Sequence, residues 1–129
     1  MKKFLILASF LLLSACAGID NFKFDPVQYS SFVQLKADTN AAAGKCDSPA
    51  AIKKYSTKIR DEAAFAKVYV SHRYGAKNLL IATTNLEKMI IDLDERYAKE
   101  NPTRFYCVTK LENISSGLEM ILTILGRME

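Results

Sequence analysis

The chain of 129 residues has few of the side chains from which metal, haem and catalytic sites are usually built. His72 is its only histidine, which excludes a metal cage made of several histidines. No Cys-x-x-Cys-His motif occurs, so covalent c-type haem is excluded, although a b-type haem held by His72 and a methionine stays open. There is no glycine-rich phosphate loop, and no spacing of serine and acid around His72 suggests a catalytic triad. We therefore expect no cofactor, no metal site and no enzymatic activity, and place His72 at a helix C-terminus.

Proline and glycine are also scarce, with three and five copies, and the alternation of apolar and polar residues typical of strands is hard to find. Alanine, leucine, isoleucine, lysine and glutamate are plentiful. Apolar residues recur at intervals of three and four, which predicts helices over residues 26–43, 49–74, 77–99 and 103–125. Because the connections are short, we predict an all-α fold, an antiparallel up-down-up-down four-helix bundle with one disulfide.

The expected boundaries of these helices rest on capping residues. Asp25-Pro26, Ser48-Pro49 and Asn101-Pro102 each place a hydrogen-bond acceptor ahead of a proline, which predicts three helix starts. We expect Gly44 to end the first helix in the left-handed conformation, and Gly75 to stop or bend the second.

The apolar positions that share one face of each helix predict the core. These positions are Tyr29, Phe32, Val33 and Lys36 in the first helix; Ile52, Tyr55, Ile59, Ala63, Ala66 and Val70 in the second, widened by Phe65, Val68 and Tyr69; Leu79, Thr83, Leu86, Ile90, Leu93 and Tyr97 in the third; and Val108, Leu111, Ile114, Leu118, Ile121 or Leu122, and Leu125 in the fourth.

The longest apolar run lies at the start of the chain, from Phe4 to Ala15, after Lys2 and Lys3. Its 12 residues are too few for a membrane-spanning helix, which needs about 20. A charged start and a short apolar run are typical of a secretory signal. An uncleaved anchor helix and cleavage by an ordinary signal peptidase are the alternatives.

The residues that end this run, Leu13-Ser14-Ala15-Cys16, resemble the lipobox of bacterial lipoproteins. The resemblance implies that residues 1–15 are a cleaved signal peptide and that Cys16 becomes the acylated first residue, carrying palmitate or similar chains. Ala17 in the second mature position implies, for a Gram-negative host, an anchor in the outer membrane that faces the periplasm. Residues 16–24 would then be a lipidated tether and 25–129 the bundle domain. Since residues 17–24 reach at most about 28 Å, we expect the bundle to sit close to the membrane.

The remaining cysteines form a pair once Cys16 carries lipid. Cys46 and Cys107 are then expected to be bridged in the oxidising periplasm, with two buried free thiols as the alternative. In the predicted topology the first interhelical loop and the start of the last helix lie at the same end of the bundle, so a bridge is geometrically allowed.

Charge gives little indication of a partner. Without residues 1–15 the chain has 16 basic and 14 acidic residues, a net charge of +2 that argues against nucleic acid. Asp92, Asp94 and Glu95 resemble a metal cluster, but their spacing favours ion pairs of Asp92 with Arg96 and of Glu95 with Lys99 on a solvated face.

Lys53, Lys54, Lys58 and Arg60 cluster near the start of the second helix. The simpler interpretation is an ordinary exposed face, on which Asp61 and Glu62 balance the positive charge. The alternative is contact with anionic lipid headgroups.

The end of the fourth helix is the best candidate for an interaction surface, because only Glu119 and Thr123 are polar between Leu118 and Leu125. With Glu112, Ser116 and Arg127 they make a narrow polar strip on an otherwise apolar helix. Such a helix is either the best-buried element or part of an interface. The candidate interface residues are Leu118, Met120, Ile121, Leu122, Ile124 and Leu125.

Three functions agree with these features. The leading one is a non-enzymatic, membrane-anchored periplasmic lipoprotein that acts as a protein-binding or envelope-associated structural module, through a protein partner or self-association. The segment from Phe24 to Tyr29 is similar to small uncharacterised lipoproteins of phage genomes, which implies a role in modifying the host envelope by receptor blocking or superinfection exclusion. The third is a carrier that holds an apolar ligand between its helices.

Overall fold

A computed structural model describes residues 23–128 of the chain. In that part the chain forms four helices and no strand: α1 (Pro26–Ala43), α2 (Pro49–Ser71), α3 (Lys77–Lys99) and α4 (Arg104–Gly126). The predicted all-α four-helix bundle is confirmed. The predicted signal peptide, the lipobox with Cys16, and the tether up to residue 22 lie outside the described residues.

Two of the predicted caps form as expected. Asp25 Oδ1 accepts hydrogen bonds from the backbone N–H groups of Val27 (2.9 Å) and Gln28 (3.2 Å), and Ser48 Oγ accepts one from Ala51 (3.3 Å). Each side chain satisfies backbone donors that the first turn of a helix leaves without a partner. The entry of the chain into α1 and α2 is therefore set by local chemistry.

Three boundary predictions were wrong or inexact. The cap of α4 is Thr103, whose hydroxyl accepts from Tyr106 N at 3.1 Å, and not Asn101. Gly44 has a φ of −75° and is not left-handed, because the Gly44–Asp47 turn satisfies the last carbonyls of α1 through bonds such as Lys45 N–Ala42 O. Helix α2 ends at Ser71, and Gly75, with a φ of 78°, reverses the chain in the turn that follows.

The core prediction holds best for the two later helices. All six positions predicted on α3 are buried, as are those on α4 except the half-buried Val108. On α2, Tyr55 is half-buried and Ser56 takes a buried position, while Phe65 and Val68 are more than half exposed. These two side chains lie off the stripe that packs on α1 and α3.

The inner face of α1 differs from the prediction. Phe32 is buried, but Val33 is exposed and Tyr29 and Lys36 are only half-buried. The buried residues are Gln28, Phe32, Leu35, Asp38, Thr39 and Ala42. Polar groups are tolerated there because they are hydrogen-bonded; Thr39 Oγ1, for example, donates to the Leu35 carbonyl at 2.8 Å.

Each helix packs on the helices before and after it in the chain, and α1 also packs on α4. Cross-helix contacts show that these neighbours run in opposite directions: α2 meets α3 through Arg60–Asp94 and Lys67–Glu87, so positions advance along one helix as they recede along the other. Lys36 and Asn40 of α1 likewise meet Glu119 and Ser115 of α4. This arrangement is consistent with the up-down-up-down order.

Cys46 and Cys107 form the predicted disulfide between the α1–α2 loop and the first turn of α4, with Cα atoms 5.8 Å apart. Both cysteines are buried. The bundle therefore has a disulfide end and an opposite end, where Lys23 enters, α2 turns into α3 and α4 finishes. We call the latter the tether end.

Candidate functional site

A nearly polar-free groove lies between α3 and α4, in the half of the bundle nearer the tether end. Its volume is about 240 Å³, and its wall is almost entirely apolar. The lining residues are Leu79, Ala82, Asn85, Leu86 and Met89 from α3, and Gly117, Met120, Ile121 and Ile124 from α4.

Gly117 shapes the floor of this groove. A Cβ placed there would lie 3.5 Å from Leu86 Cδ1, an ordinary contact distance. The absence of a side chain at Gly117 therefore leaves a shallow space in the groove. The packing distance between the two helices does not itself require a glycine at this position. Met120 stands at the rim and is 66% exposed. A methionine at such a rim adapts its shape to different apolar occupants.

The predicted interface on α4 divides into two groups. Leu118, Ile121, Leu122 and Leu125 are buried within the bundle, while Met120 is exposed and Ile124 half-buried. Of the six residues, Met120, Ile121 and Ile124 line the groove. Sequence reasoning missed the α3 side of the groove. Gly117, the glycine immediately before the apolar stretch that begins at Leu118, is the one signal that could have indicated it.

The acidic cluster on α3 does not behave as a unit. Asp94 Oδ1 accepts from Ser56 Oγ at 2.8 Å and from Thr57 Oγ1 at 3.2 Å, and its Oδ2 pairs with Arg60 at 3.0 Å. Asp94 therefore joins α3 to α2 instead of facing solvent, contrary to the prediction. Within residues 23–128 no group of three or more His, Cys, Asp or Glu side chains could hold a metal ion.

The ion pairs predicted along α3 also differ. Arg96 pairs with Glu100 at 2.7 Å and lies 4.0 Å from the centre of the Tyr106 ring, while Asp92 reaches Lys110 of α4 at 3.9 Å. Glu95 and Lys99 are exposed. Instead of the predicted Asp92–Arg96 pair, Arg96 pairs with Glu100 four positions later, and Asp92 takes a partner on α4, which a single-helix pattern does not contain.

Two carboxyl groups meet between α1 and α2. Burial raises the pKa of Glu62 to about 7, and its contact with Asp38 adds to this shift. A hydrogen bond with Glu62 is the main cause that lowers the pKa of Asp38, helped by Gln34 Nε2 at 3.0 Å and Lys58 Nζ at 3.1 Å. Glu62 Oε2 is buried and has no hydrogen-bond partner among residues 23–128. Two ionised carboxylates at this distance would repel each other. A proton on Glu62 removes the repulsion, because the Glu62 carboxyl group can then donate a hydrogen bond to Asp38.

The basic residues near the start of α2 are largely exposed, as expected, but two of them pair across helices. Lys58, whose side chain is 55% exposed, pairs with Asp38 of α1, and Arg60 pairs with Asp94 of α3. Lys53, Lys54 and Lys58 lie in the half of α2 nearer the disulfide, and Arg60 lies at its middle, so all four are away from the entry point at Lys23.

The tether end carries a second, shallow hollow. Asp25, Tyr69, His72 and Arg73 line it together with three exposed side chains, Phe65, Val68 and Tyr74. His72 caps the C-terminus of α2, as placed from the sequence, and is exposed. A hydrogen bond from the Tyr69 hydroxyl (2.6 Å) is the largest cause that lowers the pKa of Asp25.

Comparisons with protein-family models, with curated proteins and with solved structures find no match to this chain. Among residues 23–128 no helix combines the length and apolar character needed to cross a membrane.

Proposed function

We propose that the protein is a non-enzymatic lipoprotein, acylated on Cys16 and anchored in the outer membrane facing the periplasm, whose bundle binds a protein of the cell envelope. The observation that supports a binding role most directly is the apolar groove between α3 and α4. The lipobox supports the anchor, and the disulfide suits an oxidising compartment.

The size and chemistry of the groove favour a protein partner. Its volume of about 240 Å³ is below the roughly 300–1,000 Å³ typical of small-molecule sites. Asn85 is the one polar residue of the lining, so few groups are present to orient a polar ligand. A groove between two helices that exposes Met120 suits apolar side chains presented by a helix of the partner.

A carrier of a small apolar ligand is the second candidate, because the same nearly polar-free wall would accept an aliphatic chain. The two candidates place different occupants in the same groove. One pair of variants can therefore test both. Met120→Glu places a charge at the rim of the groove, and the fold should persist because position 120 is 66% exposed. Ile81→Glu is the matched control, since Ile81 is 51% exposed on α3 and does not line the groove.

The anchor is tested with the full chain in a Gram-negative host. We expect radiolabelled palmitate to enter the native chain and not a Cys16→Ser variant, and the variant to leave the membrane fraction. A Cys16→Ser chain that is still cleaved normally and remains membrane-bound would refute the anchor.

The binding site is tested by photo-crosslinking from a photoreactive residue at position 124 in intact cells. We expect an adduct with one envelope protein that Met120→Glu abolishes and Ile81→Glu leaves unchanged. An adduct of twice the chain's mass would assign the groove to self-association. The carrier would be favoured if an apolar fluorescent dye binds the purified native protein and the Ile81→Glu variant but not the Met120→Glu variant. Equal effects of both variants would refute the groove as the site.

A further inference from the structure

Three large side chains at the tether end are exposed although they are apolar or aromatic. Phe65 is 56%, Val68 59% and Tyr74 97% exposed, and all three border the same shallow hollow. We call these three residues the tether-end patch. Exposed apolar side chains gathered around one hollow are candidates for contact with a partner or a membrane.

The patch lies beside the point where the chain enters the bundle. Asp25 accepts a hydrogen bond from Tyr69 at 2.6 Å and pairs with Arg73 at 3.3 Å. Arg73 also donates to Gln28 Oε1 at 3.1 Å and to the backbone carbonyl of Lys23. These contacts hold residue 23 against the end of α2, one turn from Val68 and next to Tyr74.

The chain that precedes Lys23 leads from this point to Cys16. Seven residues span at most about 25 Å even when fully extended. A lipid on Cys16 would therefore keep the tether end within that distance of the membrane surface. The 23 residues of α2 place the disulfide end about 34 Å farther along the bundle.

We propose that the tether-end patch is the face on which the bundle rests against the bilayer, with Tyr74 and Phe65 inserted at the level of the lipid headgroups. This inference depends on the proposed lipid anchor. The Tyr74 ring, with an apolar body and a polar hydroxyl, favours that level of a membrane, and Phe65 adds apolar surface beside it. Lys77 follows Tyr74 by three positions, and the Lys23 backbone is held by Arg73 beside the patch. Both lysines are exposed and match the phosphate groups of lipids.

The anchor and the patch reinforce each other. A lipid on Cys16 confines the bundle to a thin layer above the membrane, so the local concentration of lipid near the patch is high. Three exposed side chains that would bind vesicles only weakly on their own then suffice to fix the orientation. With the tether end on the membrane, the α3–α4 groove stands beside the bilayer and the disulfide end points into the periplasm.

Tryptophan provides a specific reporter because the native chain has none. Tyr74→Trp places one at the patch, and Phe105→Trp is the matched control, since Phe105 is 80% exposed at the disulfide end. Each full-length, lipidated variant is reconstituted in vesicles of phosphatidylethanolamine and phosphatidylglycerol with brominated acyl chains. We expect bromine to quench the indole at the patch several-fold more strongly than the indole of the control variant, and the emission of the Tyr74→Trp chain to shift to the blue.

Adding Phe65→Ser and Val68→Ser to the Tyr74→Trp chain should reduce the quenching of its indole. Both positions are exposed, so the fold should persist, and circular dichroism checks this. Equal quenching of the Tyr74→Trp and Phe105→Trp chains would overturn the proposal. A blue shift of the Tyr74→Trp chain without bromine quenching would also overturn it, and would mean that a second copy of the chain covers the patch.

The failure of this inference is separable from that of the anchor. Mass spectrometry of the same samples reports whether Cys16 carries lipid. Lipid on Cys16 together with an unquenched indole in the Tyr74→Trp chain would overturn the docking face and leave the lipoprotein proposal intact. Absence of lipid from the expressed chain would refute the anchor, and with it the reason for placing this face on the membrane.

Discussion

Asp94 is the acidic residue that most clearly holds two helices together. It receives three hydrogen bonds from Ser56, Thr57 and Arg60 of α2, and its side chain is only 17% exposed. Asp92, two positions earlier on the same helix, is 67% exposed and reaches Lys110 only at 3.9 Å. One aspartate therefore joins two helices and the other lies largely in solvent. The direction in which each side chain points from α3 decides which role it has.

Replacing Asp94 by alanine should therefore destabilise the bundle by about 1–3 kcal/mol, because a partly buried arginine loses its carboxylate partner and the two hydroxyls keep only the Lys53 carbonyl as acceptor. Asp92→Ala should change the free energy of unfolding by less than about 0.5 kcal/mol, as is usual for an exposed pair. Urea unfolding measures both. Equal effects of the two variants would show that Asp94 does not hold α3 on α2.

Glu62 should make stability depend on pH. Its pKa rises from an ordinary 4.5 to about 7 in the folded chain, so between these values the folded state keeps a proton that the unfolded state has lost. Stability should accordingly fall as pH rises from about 4.5 to about 7, and then level off. The lowered pKa of Asp38 makes stability depend on pH only below the ordinary value of 3.8, which is outside this window.

Glu62→Gln removes this dependence, since an amide can donate to Asp38 at any pH. We expect the variant to exceed the native chain in stability at pH 8 by on the order of 1–2 kcal/mol after allowance for solvent screening, and to match it near pH 4.5. Urea titrations at the two pH values measure the difference. Glu95→Gln, at an exposed position of α3, is the control, and a native chain of constant stability from pH 4.5 to 7 would contradict the prediction.

Helix α3 was the most predictable element and α1 the least. The apolar stripe of α3 repeats regularly and all six of its predicted positions are buried. On α1, by contrast, Gln28, Asp38 and Thr39 are buried because partners on other helices or on the preceding turn satisfy them. An apolar pattern cannot identify such positions, since their burial depends on polar partners that are distant in sequence.

Two glycines, Gly117 of α4 and Gly75 of the turn between α2 and α3, should respond to alanine with opposite signs. Gly117→Ala should stabilise the chain by roughly 0.5–1 kcal/mol, because its Cβ fits 3.5 Å from Leu86 Cδ1 within a helix. Gly75→Ala should destabilise it by about 1 kcal/mol or more, because Gly75 has a φ of 78°. Thermal unfolding measures both. Destabilisation by Gly117→Ala would mean that α3 and α4 lie closer at the groove than the structure shows.

The disulfide should contribute more to the stability of the whole bundle than any single contact. Cys46 and Cys107 are 61 positions apart, and closing a loop of about that length is worth roughly 4 kcal/mol in the chain-entropy model. We expect the double variant Cys46→Ala, Cys107→Ala to lose about that much in urea unfolding while keeping its helical circular dichroism. An unchanged midpoint after reduction of the native chain would contradict this.

The amino-acid sequence by itself determined the four helices and most of the core of α3 and α4, because caps and periodicity are local features. It predicted the pairing of Cys46 with Cys107 only together with the lipobox resemblance that assigns Cys16 to lipid, and the structure decided that the two cysteines are bridged. Only the tertiary structure decided that Asp94 faces α2, that Phe65 and Val68 face solvent, and that Met120 borders a groove while Leu118 is buried. The physical reason is that each depends on how one helix is rotated against its neighbours, and the side chains of both helices together set that rotation.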